Sequence, residues 1–418
     1  MAEIPILLIL AGLALYTVLG GADFGAGLWE LTARGERNTA LRDHTHRAMA
    51  PVWEANHVWL IFALTMCWTC YPEAFTSIAS TLTIPLFVAA VGIVMRGAAY
   101  ALRAGVVSAR EEGAISLLFA VSSLLTPFAL GAVVGGIASG RVPVGNAAGD
   151  EITSWLNATS LLIGTLAVVA SAYLAAVYLA GDARRMGSDD VADAFRRRAL
   201  VAGLLAGAIA AVGPFVLNSD APELYDGLTS GAGLVALLAS AVAGMTALAL
   251  VHGRRYEPAR VAAAAAVVAI IAGWGIAQQP EILPDLTIEQ AAAGDTTITA
   301  VLIGFVAGML ILLPSLGYLF RLVLTGRFDP AVPLSSTDAA GGSRAADSAR
   351  DVGATHTPSA STSSLRPTLV AGAVTALGAA VTFVSDAPLR SVAVAVMLAG
   401  AVACFVALAG LDEAETKR

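Results

Sequence analysis

Charge is scarce in this 418-residue chain. Asp, Glu, Lys and Arg make up 13% of it, about half the share usual in soluble domains. Hydrophobic residues make up 57%, and the mean hydropathy is +0.77. A soluble globular fold is excluded, and no nucleic-acid partner is expected. Cysteine is nearly absent: Cys67, Cys70 and Cys404 are too few for a disulfide framework. Cys67 and Cys70 form C-x-x-C inside an apolar run, and Tyr71 in place of His rules out c-type haem attachment. They read as packing thiols. Histidine is sparse too. Of His44, His46, His57, His252 and His356, only His57 lies within an apolar stretch, and neither HExxH nor a Cys/His cluster occurs. No metal or cofactor bound by this chain is expected. The first apolar stretch, Ile4–Leu19, lacks a basic leader and a small-residue cleavage site, so it reads as a retained span.

What abounds is apolar runs of membrane length. About 20 residues cross a bilayer core of about 30 Å. That rule predicts eleven spans, near residues 4–31, 52–71, 74–95, 113–138, 153–180, 197–217, 230–251, 259–278, 297–324, 367–385 and 390–410. The expected fold is an all-α polytopic membrane protein with a nine-helix core of two bundles, residues 1–326. Two appended C-terminal transmembrane helices occupy 367–418. Between them residues 327–366, rich in Ser, Thr, Ala, Gly, Asp and Pro, carry no apolar period and read as a disordered cytoplasmic linker.

Arginines set the orientation. Arg34, Arg37, Arg42 and Arg47 follow span one; Arg96, Arg103 and Arg110 follow span three. Arg184, Arg185 and Arg196–Arg198 follow span five, and Arg254, Arg255 and Arg260 follow span seven. The alternate loops are acidic, with Asp220, Glu223 and Asp226 in one and Glu281, Asp285, Glu289 and Asp295 in another. Of 24 Lys and Arg, only Arg141 and Arg390 fall on the acidic side. The positive-inside rule then puts the N-terminus outside and the C-terminus in the cytoplasm.

Ionisable groups inside spans are costly and are functional candidates by default. Asp23 lies near the arginine-rich end of span one. Glu54, Asn56 and His57 open span two from the same side, Glu54 and His57 sharing a helix face at a spacing of three. Arg96 lies at that end of span three. Asp23, Glu54, His57 and Arg96 thus form the candidate proton pathway, with Trp53, Asn56 and Trp59 as motif residues around it. The competing reading is an interfacial belt in which Trp53, Trp59 and Arg96 anchor in head groups and Glu54 faces water. Small-xxx-small spacings at Gly21/Gly25, Gly131/Gly135, Gly203/Gly207 and Gly304/Gly308 predict close helix approach. An echo of "TPFAL" (126–130) in "GPFVL" (213–217) hints at duplication.

At these residues the chain resembles a known family. "GGADFGAGLWEL", "PVWEANHVWLI", "GIVMRGAAYALR" and "SLLTPFALGAVVGG" are similar, in spacing and order, to subunit II of cytochrome bd-type quinol oxidases. The resemblance covers about residues 1–326. It implies a non-haem subunit of a membrane quinol:oxygen oxidoreductase in aerobic respiratory electron transport, not catalytic alone. Its role would be to support assembly and proton or oxygen access. The haems and the quinol site are expected on the partner, subunit I, and small accessory membrane subunits and lipid are further expected partners. The implied location is the bacterial cytoplasmic (inner) membrane. The resemblance places Asp23, Glu54 and Arg96 at the family's proton-route positions, Glu54 standing where many members have Asp. The alternative is a secondary transporter, which the glycine-rich spans and buried charges also suit. It requires polar groups near the midplane, for which Asn157 is a candidate.

Overall fold

With no water to bond to, an apolar run in lipid satisfies its backbone only by coiling on itself. The computed structural model follows that rule, and it describes residues 1–32, 41, 44, 45, 53–102 and 109–324. Its elements are α1 (Glu3–Leu15), a π-helical turn (Tyr16–Gly20), α2 (Gly21–Thr32), α3 (Trp53–Cys70), α4 (Pro72–Thr81), α5 (Thr83–Leu102) and α6 (Ala109–Ala138). There follow α7 (Ala158–Arg185), α8 (Asp189–Asp220), α9 (Pro222–Thr229), α10 (Gly231–His252) and α11 (Tyr256–Gln278). A hairpin of β1 (Glu281–Leu283) and β2 (Leu286–Thr287), the short α12 (Ile288–Ala291) and α13 (Asp295–Leu324) complete them. Among the described residues eight helices are long and apolar enough to cross a membrane. The chain is a multi-pass, all-α membrane protein. It divides into a unit Met1–Gly304 and a unit Phe305–Arg418. The predicted linker 327–366 and the two helices predicted within 367–418 lie outside the described residues.

Within the first unit, α1–α2, α3, α5 and α6 pack as one bundle and α7, α8, α10 and α11 as another, joined where α7 meets α2 and α6. Glycine makes that junction possible. A Cβ on Gly25 would lie 1.9 Å from the Ser171 carbonyl oxygen, and one on Gly135 would lie 2.4 Å from Ser160 Cα. Gly21/Gly25 and Gly131/Gly135 therefore bring backbones together as their spacing predicts. Gly207, Gly304 and Gly308 do not: among the described residues a Cβ there would meet nothing within 4 Å. The sequence echo is also not an environmental one, since Phe215 is exposed while Phe128 packs on Gly164.

Several boundaries differ from the sequence expectation. The predicted span 74–95 breaks at Leu82 into α4 and α5. Pro72 starts α4, where a missing N–H costs nothing. Span five begins at Ala158, not 153, and Asn157 is its N-cap, accepting from the Ser160 N–H at 2.9 Å. A cap at a helix end is no midplane polar group, which removes the residue on which a transporter site would rest. Arg196–Arg198 are not in a loop; they lie within α8, which starts at Asp189.

The arginine-poor side is closed by structure the hydropathy pattern does not reveal. The hairpin pairs Glu281 with Thr287 and Leu283 with Leu286. It buries Ile282, Leu283 and Leu286 against Tyr71, Leu82 and Val142. Arg141, past the end of α6, grips Asp220 at the end of α8 through Nη2–Oδ1 (2.6 Å) and Nη1–Oδ2 (3.2 Å). The same carboxylate accepts from the Thr159 N–H and hydroxyl at the start of α7. One aspartate thus ties three helix ends together.

Candidate functional site

Arg96 is the residue the sequence places least well. The expected span ends at 95, but α5 runs to Leu102, so Arg96 lies inside it, about 9 Å of helix from that end. Asp23 is about 14 Å of helix from Thr32. The two meet. Arg96 Nη2 donates to Asp23 Oδ1 at 2.7 Å and to the Asp23 carbonyl at 2.8 Å, and Nε donates to Oδ2 at 3.1 Å. Nη1 donates to Ser123 Oγ on α6, whose hydroxyl donates onward to the Phe119 carbonyl at 2.6 Å. Both side chains are 1% exposed. A guanidinium so enclosed is no head-group anchor, and the interfacial-belt reading fails for Arg96.

Aromatic rings complete the enclosure. The Arg96 guanidinium carbon lies 4.2 Å from the Phe119 ring centre and 5.1 Å from that of Phe24, within cation–π range. Phe24, 1% exposed, also neighbours His57, at 6.1 Å between ring centres. Tyr16 flanks His57 at 6.0 Å. Neither nitrogen of His57 nor the Tyr16 hydroxyl has a hydrogen-bond partner among the described residues. His57 thus shares Phe24 as a neighbour with Arg96 but makes no hydrogen bond to the charged pair. The geometry does not put it in the same hydrogen-bonded chain.

Asn56 has another task. Residues 16–20 form a π-helical turn, which takes in one extra residue and shifts the normal carbonyl partners. Asn56 Nδ2 donates to the carbonyl of Leu19 in that turn at 3.3 Å. The turn sits three residues before Asp23 and adjusts the facing of the helix that carries it. Trp59 is half-buried on α3, and its carbonyl faces Gly12 of α1. The side chains of Trp53 and Glu54 lie outside the described residues, so only their place in the first turn of α3 is fixed.

The sequence reading brings out Asp23 and Arg96 but misses Ser123, Phe24, Phe119 and Gly27. The Ser122-Ser123 pair within an apolar span is the one sequence signal that marks α6 as a partner. Gly27, one turn beyond Asp23, is legible only once the guanidinium is seen beside it. His44, placed in a loop by the sequence, is buried: its Nε2 lies 3.0 Å from the Leu179 carbonyl and its ring packs on Phe195. No group of three His, Cys, Asp or Glu suited to a metal occurs among the described residues.

The chain as a whole is similar to known proteins. A family model described as cytochrome bd terminal oxidase subunit II matches residues 1–323. The putative cytochrome bd menaquinol oxidase subunit II of Bacillus subtilis (strain 168) is 22% identical over 335 residues, covering 77% of this chain and 95% of that protein. The bd oxidase structure from Geobacillus thermodenitrificans matches with a TM-score of 0.65 and 27% identity, over 78% of this chain and 98% of that one.

Proposed function

The chain belongs to the cytochrome bd terminal oxidase subunit II family, and from that premise we propose that it serves a haem-bearing subunit I as scaffold and proton guide. As a subunit of a bd-type quinol oxidase it is part of an oxidoreductase complex; the family match favours this over a transporter. The haems and the quinol site are assigned to subunit I. In this chain His57 is a poor haem ligand, because both its nitrogens are buried within aromatic packing. The Bacillus relative's name makes menaquinol the donor to test first. The arginine-rich side is assigned to the cytoplasm, with the N-terminus outside.

The observation that carries the proton reading is the Asp23–Arg96 pair, 1% exposed on each side, inside apolar spans. Such pairs are expensive in lipid and mark ion or proton pathways. Glu54, in the first turn of α3 on the arginine-rich side, is assigned as the entry acid. Asp23 and Arg96 form the fixed charged element beyond it. Oxygen reduction consumes protons, and a route from this side draws them from the cytoplasm.

The test is oxygen consumption per haem in liposomes holding this chain with a subunit I. Glu54→Gln keeps size and hydrogen bonding but carries no releasable proton, so turnover falls while haem content holds. Glu54→Asp retains much of the activity. Wild-type turnover in the Asp23→Asn, Glu54→Gln double variant overturns the proton role. Stoichiometric haem on the chain purified alone overturns the assignment of haems to the partner.

A further inference from the structure

On the arginine-rich side most cations of the second bundle have partners. Arg260 reaches Asp182, Arg254 reaches Asp193, and Arg196 donates to the carbonyls of Val251 and His252. Arg198 does not fit that pattern. Its guanidinium carbon lies 5.3 Å from the Phe195 ring centre and 5.7 Å from that of Trp29, with no carboxylate or carbonyl partner among the described residues. The platform beneath it is fixed. Phe195 is 1% exposed, and the Trp29 indole N–H donates to the Ala172 carbonyl at 2.7 Å. Ring faces hold the guanidinium's position without using its N–H groups, so its donors stay available to an anion.

What lies below Arg198 says which anion. In α8 the charged segment ends at Arg198, and the residues from Ala199 to Leu217 carry no charge. Val201 and Leu205 are 58% and 53% exposed and follow Arg198 at spacings of three and seven, on one helix face. An aromatic-backed cation stands at the head of an exposed apolar stripe, at the arginine-rich end of the uncharged stretch of α8, the position at which interfacial cations anchor a span. Arg197, its neighbour, is exposed and of the same sign.

We propose that Arg198, on its Trp29–Phe195 platform, binds the phosphodiester of an anionic phospholipid in the arginine-rich leaflet, with an acyl chain along Val201 and Leu205. A guanidinium matches two phosphate oxygens at once. Two adjacent arginines favour a net-negative head group over a zwitterionic one, whose cation they repel. The apolar stripe favours a lipid over free phosphate. This site does not depend on the proton route.

The experiment uses the complex purified with subunit I and native mass spectrometry, after loading with phosphatidylglycerol or phosphatidylcholine of the same chains. Wild type retains phosphatidylglycerol preferentially. Arg198→Gln lowers that retention about fivefold, the size of one interfacial cation, with haem content unchanged. Arg198→Lys keeps the charge but not the bidentate fork and falls between, which keeps the proposal testable if the glutamine variant assembles poorly. Excess inorganic phosphate leaves the retained lipid in place. Undiminished retention in Arg198→Gln, equal retention of phosphatidylcholine, or release by inorganic phosphate overturns the proposal. So does a cross-link showing a carboxylate of subunit I on Arg198.

Discussion

A methyl group placed on Gly27 would lie 2.9 Å from Arg96 Nη1 and 2.2 Å from Ser123 Oγ. Gly27 and Arg96 therefore occupy complementary space: the missing side chain is the room into which the guanidinium reaches. Gly27→Ala forces Arg96 off Ser123 in a core with no slack, and overpacking of this kind costs about 1–3 kcal/mol. The expected outcome is a lower thermal midpoint of the assembled complex. Gly207→Ala, where a Cβ meets nothing within 4 Å among the described residues, leaves it unchanged. Equal behaviour of the two variants would show that the Arg96 pocket is not tightly packed.

Removing one member of the Asp23–Arg96 pair leaves a buried charge without its partner, a loss of about 3–5 kcal/mol. Arg96→Leu and Asp23→Leu are each expected to reduce assembled complex strongly. The double leucine variant recovers part of it, because no lone charge remains. Assembly is read by size-exclusion chromatography with haem absorbance. A double variant worse than either single one would mean the pair holds the bundle by attraction alone.

Asn56→Leu deletes the donor to the Leu19 carbonyl at the π-helical turn. A half-buried carbonyl left without its partner costs about 1–3 kcal/mol. Since the turn sets the facing of Asp23, turnover per haem falls as well as stability. Amide exchange at residues 16–24 rises in the variant. Unchanged exchange there would separate Asn56 from the turn.

Asp220→Ala strips the acceptor shared by Arg141 and Thr159. Hydrogen bonds to a charged group are worth about 1.5–3 kcal/mol, reduced here because the pair is partly solvated. Thermal stability of the complex drops while turnover per assembled haem stays at the wild-type value. A turnover defect at full assembly would assign the arginine-poor side a role in the reaction.

Topology is tested by reporter fusions. Fusions after residues 40 and 190 read as cytoplasmic, and those at 222 and 287 read as outside. A cytoplasmic signal at 222 would overturn the span count.

The fold class and most of the span pattern are legible in the residues alone. Hydropathy over about 20 residues reports whether a segment enters lipid, because each buried residue contributes independently of its neighbours. It also brought out Asp23 and Arg96, since a charge inside an apolar run is visible without any knowledge of packing. What it could not determine is anything that rests on two segments at once. Arg96 was assigned to a span end because apolar counting stops at a charge, whereas its helix runs on to Leu102 once Asp23 from α2 and Ser123 from α6 satisfy the guanidinium. Asn157 looked like a membrane polar group until Ser160 made it a cap. Phe24 beside both Arg96 and His57, Gly27 against the guanidinium and Asp220 across three helix ends are relations of distance, not of spacing along the chain. Only the packing of helices against one another fixes them.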